Sequence, residues 1–138
     1  MMKTTTRSFT TVVTVITVLM VGEALTFLLA ALLHLGIPLG FSEPRIIPAA
    51  IVEGLCGLFL AGSTYAVFAR TRLAWGVALA AHLFAVAGVL LGIIALALGA
   101  GPSTVANTIY HRVILGVLVV VLVLLATPGA RAVLGHRT

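Results

Sequence analysis

The sequence has very little charge and few acidic residues. It contains no aspartate and only three glutamates, and charged residues of all kinds make up 8% of the chain, whereas 62% of it is hydrophobic. Because roughly a quarter of the residues in a soluble protein are charged, this composition excludes a water-soluble domain. The sequence therefore predicts an integral membrane protein.

Cysteine is equally scarce. Cys56 is the only one and lies within an apolar run. This excludes an intrachain disulfide, a CxxC redox pair and a metal cluster held by thiolates. We interpret Cys56 as a buried, unreactive thiol.

The basic residues form no surface that would bind nucleic acid. They stand at the ends of apolar runs, whereas nucleic-acid binding needs a basic stripe or patch exposed to water. The net charge of +5 is instead typical of loop charges that orient a membrane protein. Nucleic acid is therefore excluded as an expected partner, and the lipid bilayer is the expected surrounding.

Four apolar runs account for nearly the whole chain. They cover about 11–36, 46–69, 73–99 and 105–128, and each has the roughly 20 residues that a membrane-spanning helix needs. The links are too short to fold on their own, and short links make consecutive helices antiparallel neighbours. We predict an all-α fold, with residues 1–138 forming one transmembrane domain, an up-down-up-down four-helix bundle.

The basic residues also predict how the bundle is oriented. On the predicted topology, two of them lie on one side of the membrane, Arg45 and Arg112, and the other six on the opposite side: Lys3, Arg7, Arg70, Arg72, Arg131 and Arg137. Since the cytoplasmic side carries the excess of lysine and arginine, both termini are expected in the cytoplasm. Pro102 followed by Ser103 or Thr104 predicts the start of the fourth helix, and Pro128 predicts its end.

Glu23 lies near the middle of the first predicted span, where its carboxyl group cannot reach water. A charged group at this depth is costly, so we expect Glu23 to face the bundle interior and to be either neutral or paired with a base. His82 on the third helix is the nearest base in depth. If the first and third helices lie diagonally across the core, the two side chains can meet, either as functional groups or as a contact that holds the bundle together.

A second set of polar residues is predicted just below the outer surface. His34 follows Glu23 by eleven residues, which returns it to nearly the same helix face about 16 Å farther along. Glu53 and His111 fall at similar depth on the second and fourth helices. We expect these three side chains to form one cluster that opens outward, with four residues around its mouth: Asn107, Tyr110, Glu43 and Arg45.

Two imidazoles and one carboxylate are ligands that zinc, copper or non-haem iron prefer. The leading hypothesis is therefore a metal held by His34, Glu53 and His111, or a haem with His34 and His111 as axial ligands beside Asn107 and Tyr110. The third form of this hypothesis is a small lipophilic ligand bound in the same cluster. The expected activity is that of a membrane oxidoreductase or metal-assisted enzyme, and the candidate catalytic residues are Glu23, Glu53 and His82. Neither an HExxH nor an ExxH motif supports a particular metal.

Two other functions fit the same residues. Glu23, Glu53 and His82 could be titratable stations of a proton-coupled transporter. With four short helices and a glutamate in the first, the chain resembles the small multidrug exporters, but those often insert in both orientations, whereas the charge bias here predicts one. Alternatively, the protein is an accessory subunit of a larger membrane complex. Gly88 and Gly92, spaced as GxxxG, predict helix packing within the chain or a homo-oligomer contact.

Overall fold

The chain folds into four long helices and one short one. The computed structural model describes residues 3–102 and 104–135, with side chains described from residue 11 onward. The helices are α1 (Lys3–His34), α2 (Ile47–Phe68), α3 (Ala74–Ala97), α4 (Val105–Ala126) and α5 (Pro128–Gly135). Four of them are long and apolar enough to cross a membrane, which confirms the predicted all-α membrane bundle.

The helix ends agree with the predicted spans to within two residues, except that α1 begins at Lys3, well before the apolar run. Hydropathy marks where apolar side chains begin, but the backbone hydrogen bonds of a helix can continue into a polar segment. The polar residues before Thr11 therefore extend α1 beyond its predicted start.

Some residues of the orientation and capping predictions lie outside the described part. These are Arg137, Ser103, and the side chains of Lys3 and Arg7. The described basic residues still separate between the two ends of the bundle. Arg70, Arg72 and Arg131 follow the ends of α2 and α4, whereas Arg45 precedes α2 and Arg112 lies near the start of α4. We call the end with Arg45 the His34 end and the opposite one the Trp75 end.

Neighbouring helices pack in chain order, and α1 also contacts α4, so α1 and α3 lie diagonally across the bundle. The α1–α2 contact is the most extensive. Gly57 permits it, because a Cβ atom built there would lie 2.8 Å from Leu28 Cγ on α1. That distance is too short for any real side chain, so the glycine sets the helix spacing.

Gly88 and Gly92 both face other helices of the same chain. A Cβ atom at Gly88 would lie 2.9 Å from Cys56 Sγ, and one at Gly92 would lie 2.5 Å from His111 Nε2. The GxxxG pair thus serves intrachain packing, the first of its two predicted roles. The alternative of a homo-oligomer contact through Gly88 and Gly92 stays a prediction.

The short helix α5 was not predicted. Pro128 was interpreted as the end of the fourth helix, and α4 does end at Ala126, but the chain then turns into a new helix. Thr127 caps that helix, because its hydroxyl accepts a hydrogen bond from the Ala130 backbone N–H at 3.2 Å. Proline in the first turn of a helix loses no hydrogen bond, so the same residue that ends one helix begins the next. Ala130 is buried against the Trp75 end.

Candidate functional site

Seven polar residues are buried in the part of the chain that the structure describes: Glu23, His34, Glu53, Ser63, His82, Asn107 and His111. Ser63 donates to a backbone carbonyl of its own helix. The other six all belong to the predicted site set, so these polar side chains turn into the bundle and not toward lipid. Of that set, Tyr110 is half-buried.

Glu23 and His82 meet in the core, as predicted from their depth. His82 Nε2 lies 2.9 Å from Glu23 Oε2, and the exposed fraction is 0% for the His82 side chain and 1% for that of Glu23. The other ring nitrogen of His82, Nδ1, lies 2.7 Å from the Ala78 carbonyl oxygen. Since a carbonyl oxygen can only accept, Nδ1 carries a proton. Whichever atom of the Nε2–Oε2 contact holds the proton between them, the pair as a whole has no net charge.

His34 and Glu53 form a second pair, nearer the His34 end. His34 Nδ1 lies 2.7 Å from Glu53 Oε2, and both side chains are more than nine-tenths buried. Each residue also keeps one unpaired polar atom, His34 Nε2 and Glu53 Oε1. Buried polar atoms without a partner are rare in proteins. These two therefore mark a place where a ligand or water could supply the missing hydrogen bonds.

An apolar layer separates the two pairs. Phe27, Cys56, Leu60 and Val89 are buried together in one cluster at intermediate depth. The rise of α1 places Glu23 and His34 about 16 Å apart along its axis. The predicted catalytic set of Glu23, Glu53 and His82 is thus divided: Glu23 and His82 lie in one pair, while Glu53 bonds to His34 in the other.

The first cavity lies between α1 and α4 at the His34 end. Its volume is about 360 Å³, and most of its wall is apolar. His34, Asn107, Tyr110 and Glu43 supply polar groups, which agrees with the residues predicted around the mouth. Glu43 accepts a hydrogen bond from the Thr104 hydroxyl at 2.7 Å, which ties the loop before α2 to the start of α4. We call this space the α1/α4 cavity.

A second cavity lies among α2, α3 and α4. Its volume is about 330 Å³, and Glu53, Asn107 and His111 are its polar wall residues. Asn107 borders both cavities, and the His34–Glu53 pair stands between them with one residue facing each. We call this space the α2/α3/α4 cavity.

His111 does not join His34 and Glu53 at one point. Its Nδ1 lies 2.9 Å from the carbonyl oxygen of Asn107, one turn earlier, and its ring lines a different cavity from His34. Within residues 3–102 and 104–135, no three histidine, cysteine or acidic side chains are grouped so that they could hold a metal ion. The metal site of His34, Glu53 and His111 and the bis-histidine haem have no support in this geometry and stay predictions.

Of the other residues predicted around the mouth, Tyr110 lines the α1/α4 cavity, whereas Arg45 lines neither cavity. The aliphatic part of Arg45 lies beside Gly36, whose φ of +91° turns the chain after α1. The Tyr110 ring contacts the edge of Phe27 at a centroid distance of 6.3 Å. Sequence reasoning missed three residues here, Thr26 and Phe41 in the α1/α4 cavity and Gly92, whose missing side chain leaves room for His111. Only the GxxxG spacing gave any signal, and it indicated packing.

The Glu23–His82 pair should behave as one energetic unit. Glu23→Leu leaves His82 Nε2 buried without a partner, which should cost about 1–3 kcal/mol of unfolding free energy. Glu23→Gln should cost less, because its amide can donate to Nε2. The double change Glu23→Leu/His82→Leu should recover much of the loss, since apolar side chains replace both partners. Unfolding in mixed detergent is measured for the wild type, these three variants and His82→Leu, and a loss in the double variant equal to the sum of the Glu23→Leu and His82→Leu losses would contradict the pairing.

No family model, curated protein or solved structure matches the chain. The functional argument therefore depends on the two buried pairs and the two cavities.

Proposed function

We propose that the protein binds a small lipophilic molecule from the bilayer in the α1/α4 cavity and holds its polar end through His34. The observation that carries the proposal is the unpaired Nε2 of a buried histidine whose other nitrogen is fixed by Glu53. A polar group enclosed by apolar walls is the usual arrangement of a small-molecule site.

A ligand can enter the α1/α4 cavity laterally from the bilayer, between the two helices. α1 and α4 pack less extensively than α1 and α2, and the α1/α4 cavity lies in the gap that this leaves. Exposed apolar residues such as Leu29 and Phe41 line it. A molecule dissolved in the bilayer can therefore reach His34 between the helices without crossing water.

Electroneutrality indicates which polar group the ligand carries. In a membrane, a buried pair is least costly when it has no net charge. We assign the His34–Glu53 pair to the neutral states in which Glu53 Oε1 carries no proton: a Glu53 protonated at Oε2 with a neutral imidazole, or an ionised Glu53 with an imidazolium. In both of these states one proton lies between Oε2 and Nδ1, and the second is on His34 Nε2. Nε2 is then a donor, and the ligand should present an acceptor oxygen such as a carbonyl.

The enzyme and transporter hypotheses add steps to this binding site. An oxidoreductase or metal-assisted enzyme would act on the molecule held at His34, and that reaction stays a prediction from the sequence. A proton path through Glu23, Glu53 and His82 would have to cross the apolar layer around Phe27 and Leu60. Ligand binding requires neither step, so it is the function that the geometry supports best.

We also propose that both termini lie in the cytoplasm, with the α1/α4 cavity near the outer surface. The support is the separation of charge, with Arg70, Arg72 and Arg131 at the Trp75 end. Ser42 and Thr71 are exposed in the loops at opposite ends. In a Cys56→Ala background, a membrane-impermeant maleimide added to intact cells should label Ser42→Cys and spare Thr71→Cys. The reverse labelling would contradict this orientation.

Ligand binding is tested with a matched pair of probes in nanodiscs, 2-acetylnaphthalene and 2-isopropylnaphthalene, with empty nanodiscs to correct for partitioning. The ketone should bind about three- to tenfold more tightly, the contribution of one hydrogen bond. Its carbonyl stretch should shift to lower frequency in the wild type and not in His34→Phe.

Steric variants give the control. Ala106 lines the α1/α4 cavity, so Ala106→Trp should abolish the carbonyl shift of the ketone and its preference over 2-isopropylnaphthalene. Ala80 is exposed on α3 and lines neither of the two cavities, so Ala80→Trp should leave both unchanged. Equal affinity of the wild type for the two probes, or a carbonyl shift that survives Ala106→Trp, would overturn the proposal.

A further inference from the structure

The α2/α3/α4 cavity differs from the α1/α4 cavity in its hydrogen-bonding character. His111 Nδ1 lies 2.9 Å from the Asn107 carbonyl oxygen, and a carbonyl can only accept, so Nδ1 carries the proton. A neutral imidazole then has a lone pair on Nε2. This atom is therefore an acceptor, unlike His34 Nε2.

The fold places that acceptor against Gly92, at the wall of the cavity. A Cβ atom at Gly92 would lie 2.5 Å from His111 Nε2, so the ring edge occupies space that any side chain at this position would take. Gly92 and His111 both line the cavity. His111 is only 7% exposed, so protein atoms, and not solvent, surround its ring.

Glu53 adds a second acceptor to the same wall. Its Oε2 is engaged with His34, and the proton of that contact lies between Oε2 and Nδ1. Its Oε1 has no partner and is an acceptor in both neutral states of the pair. The carboxyl group therefore makes this wall favourable for the positive end of an O–H dipole.

The remaining wall is apolar and sets the size of an occupant. Val52, Leu91 and Leu96 contribute to it. A buried apolar cavity of about 150 Å³ is enough to bind benzene. The volume of about 330 Å³ here is suited to a molecule of about two fused rings.

We propose that the α2/α3/α4 cavity is a second binding site, for a small lipophilic alcohol or phenol whose hydroxyl donates to His111 Nε2 beside the Glu53 carboxyl group. The inference does not depend on the proposed function, because the two cavities have different walls and opposite preferences. The α1/α4 cavity takes an acceptor oxygen, and this one takes a donor.

The test compares 2-naphthol with 2-methoxynaphthalene, which keeps the rings and the oxygen but has no proton to donate. At pH 7, in nanodiscs corrected for partitioning, 2-naphthol should bind about three- to tenfold more tightly. In protein with ¹⁵N-labelled histidine, it should move the Nε2 signal of His111 and leave that of His34 in place. Equal affinity of the two probes, or a response confined to His34, would overturn the proposal.

Three variants distinguish the effect of filling the cavity from the effect of removing its hydrogen-bond acceptor. Ala95 lines this cavity, so in an Ala106→Trp background Ala95→Phe should abolish the binding of both probes, whereas Ala80→Phe, on the same helix but outside both cavities, should not. His111→Phe keeps a ring and removes the acceptor, and it should make the two probes bind equally.

Ala106→Trp, which fills the α1/α4 cavity, should leave 2-naphthol binding unchanged. Failure of the ketone experiment and failure of this one can therefore be told apart. Binding of 2-naphthol that survives Ala95→Phe in the Ala106→Trp background would place it elsewhere and contradict the site.

Discussion

The structure depends on one constraint, that an ionisable side chain within hydrocarbon needs a polar partner inside the protein. Two carboxyl groups and three imidazoles lie in the spanning helices. Each carboxyl group is joined to one imidazole, and the third imidazole, that of His111, contacts a backbone carbonyl oxygen. Glu23–His82 links the diagonal helices α1 and α3, and His34–Glu53 links the neighbours α1 and α2. Four helices of nearly uniform apolar character could rotate against one another at little cost. The two pairs fix which faces turn inward.

The same pairs have different surroundings, and this difference separates structural from functional roles. Glu23 and His82 line neither cavity; His82 uses both ring nitrogens, and Glu23 Oε1 is unpaired but has no cavity beside it. His34 and Glu53 stand between two cavities, and each keeps one unpaired atom. A contact that only held helices together would have no need of adjoining space. The combination of space and unpaired atoms is what makes the His34 end a candidate for ligand binding.

The depth of each polar residue along its helix could be predicted from the sequence. The direction in which its side chain points around the helix axis could not. Counting residues placed Glu23 level with His82 and His34 level with Glu53, and both contacts exist. The same count placed His111 at their level, yet its ring turns toward α3, into the space left by Gly92. That direction depends on how α4 is rotated, and rotation is set by packing over the whole bundle. Apolar patterning gives little information here, because lipid-facing and core-facing residues are equally hydrophobic.

The volumes of the cavities were also beyond sequence reasoning. They arise where α1 and α4 diverge and where small residues leave room beside α3. Helix α5 was missed for a local reason, since Pro128 is equally compatible with an end and a beginning. The predicted metal site needs His34, Glu53 and His111 around one point, whereas the fold joins His34 to Glu53 and His111 to a backbone carbonyl oxygen.

The most direct measurement of the central claim is through-space NMR between imidazole nitrogens and glutamate carboxyl carbons of the labelled protein in bilayers. The structure predicts one correlation from the Glu53 carboxyl carbon to His34 Nδ1 and another from that of Glu23 to His82 Nε2. Imidazoles that show contacts with lipid or water and none with these carboxyl carbons would contradict the account.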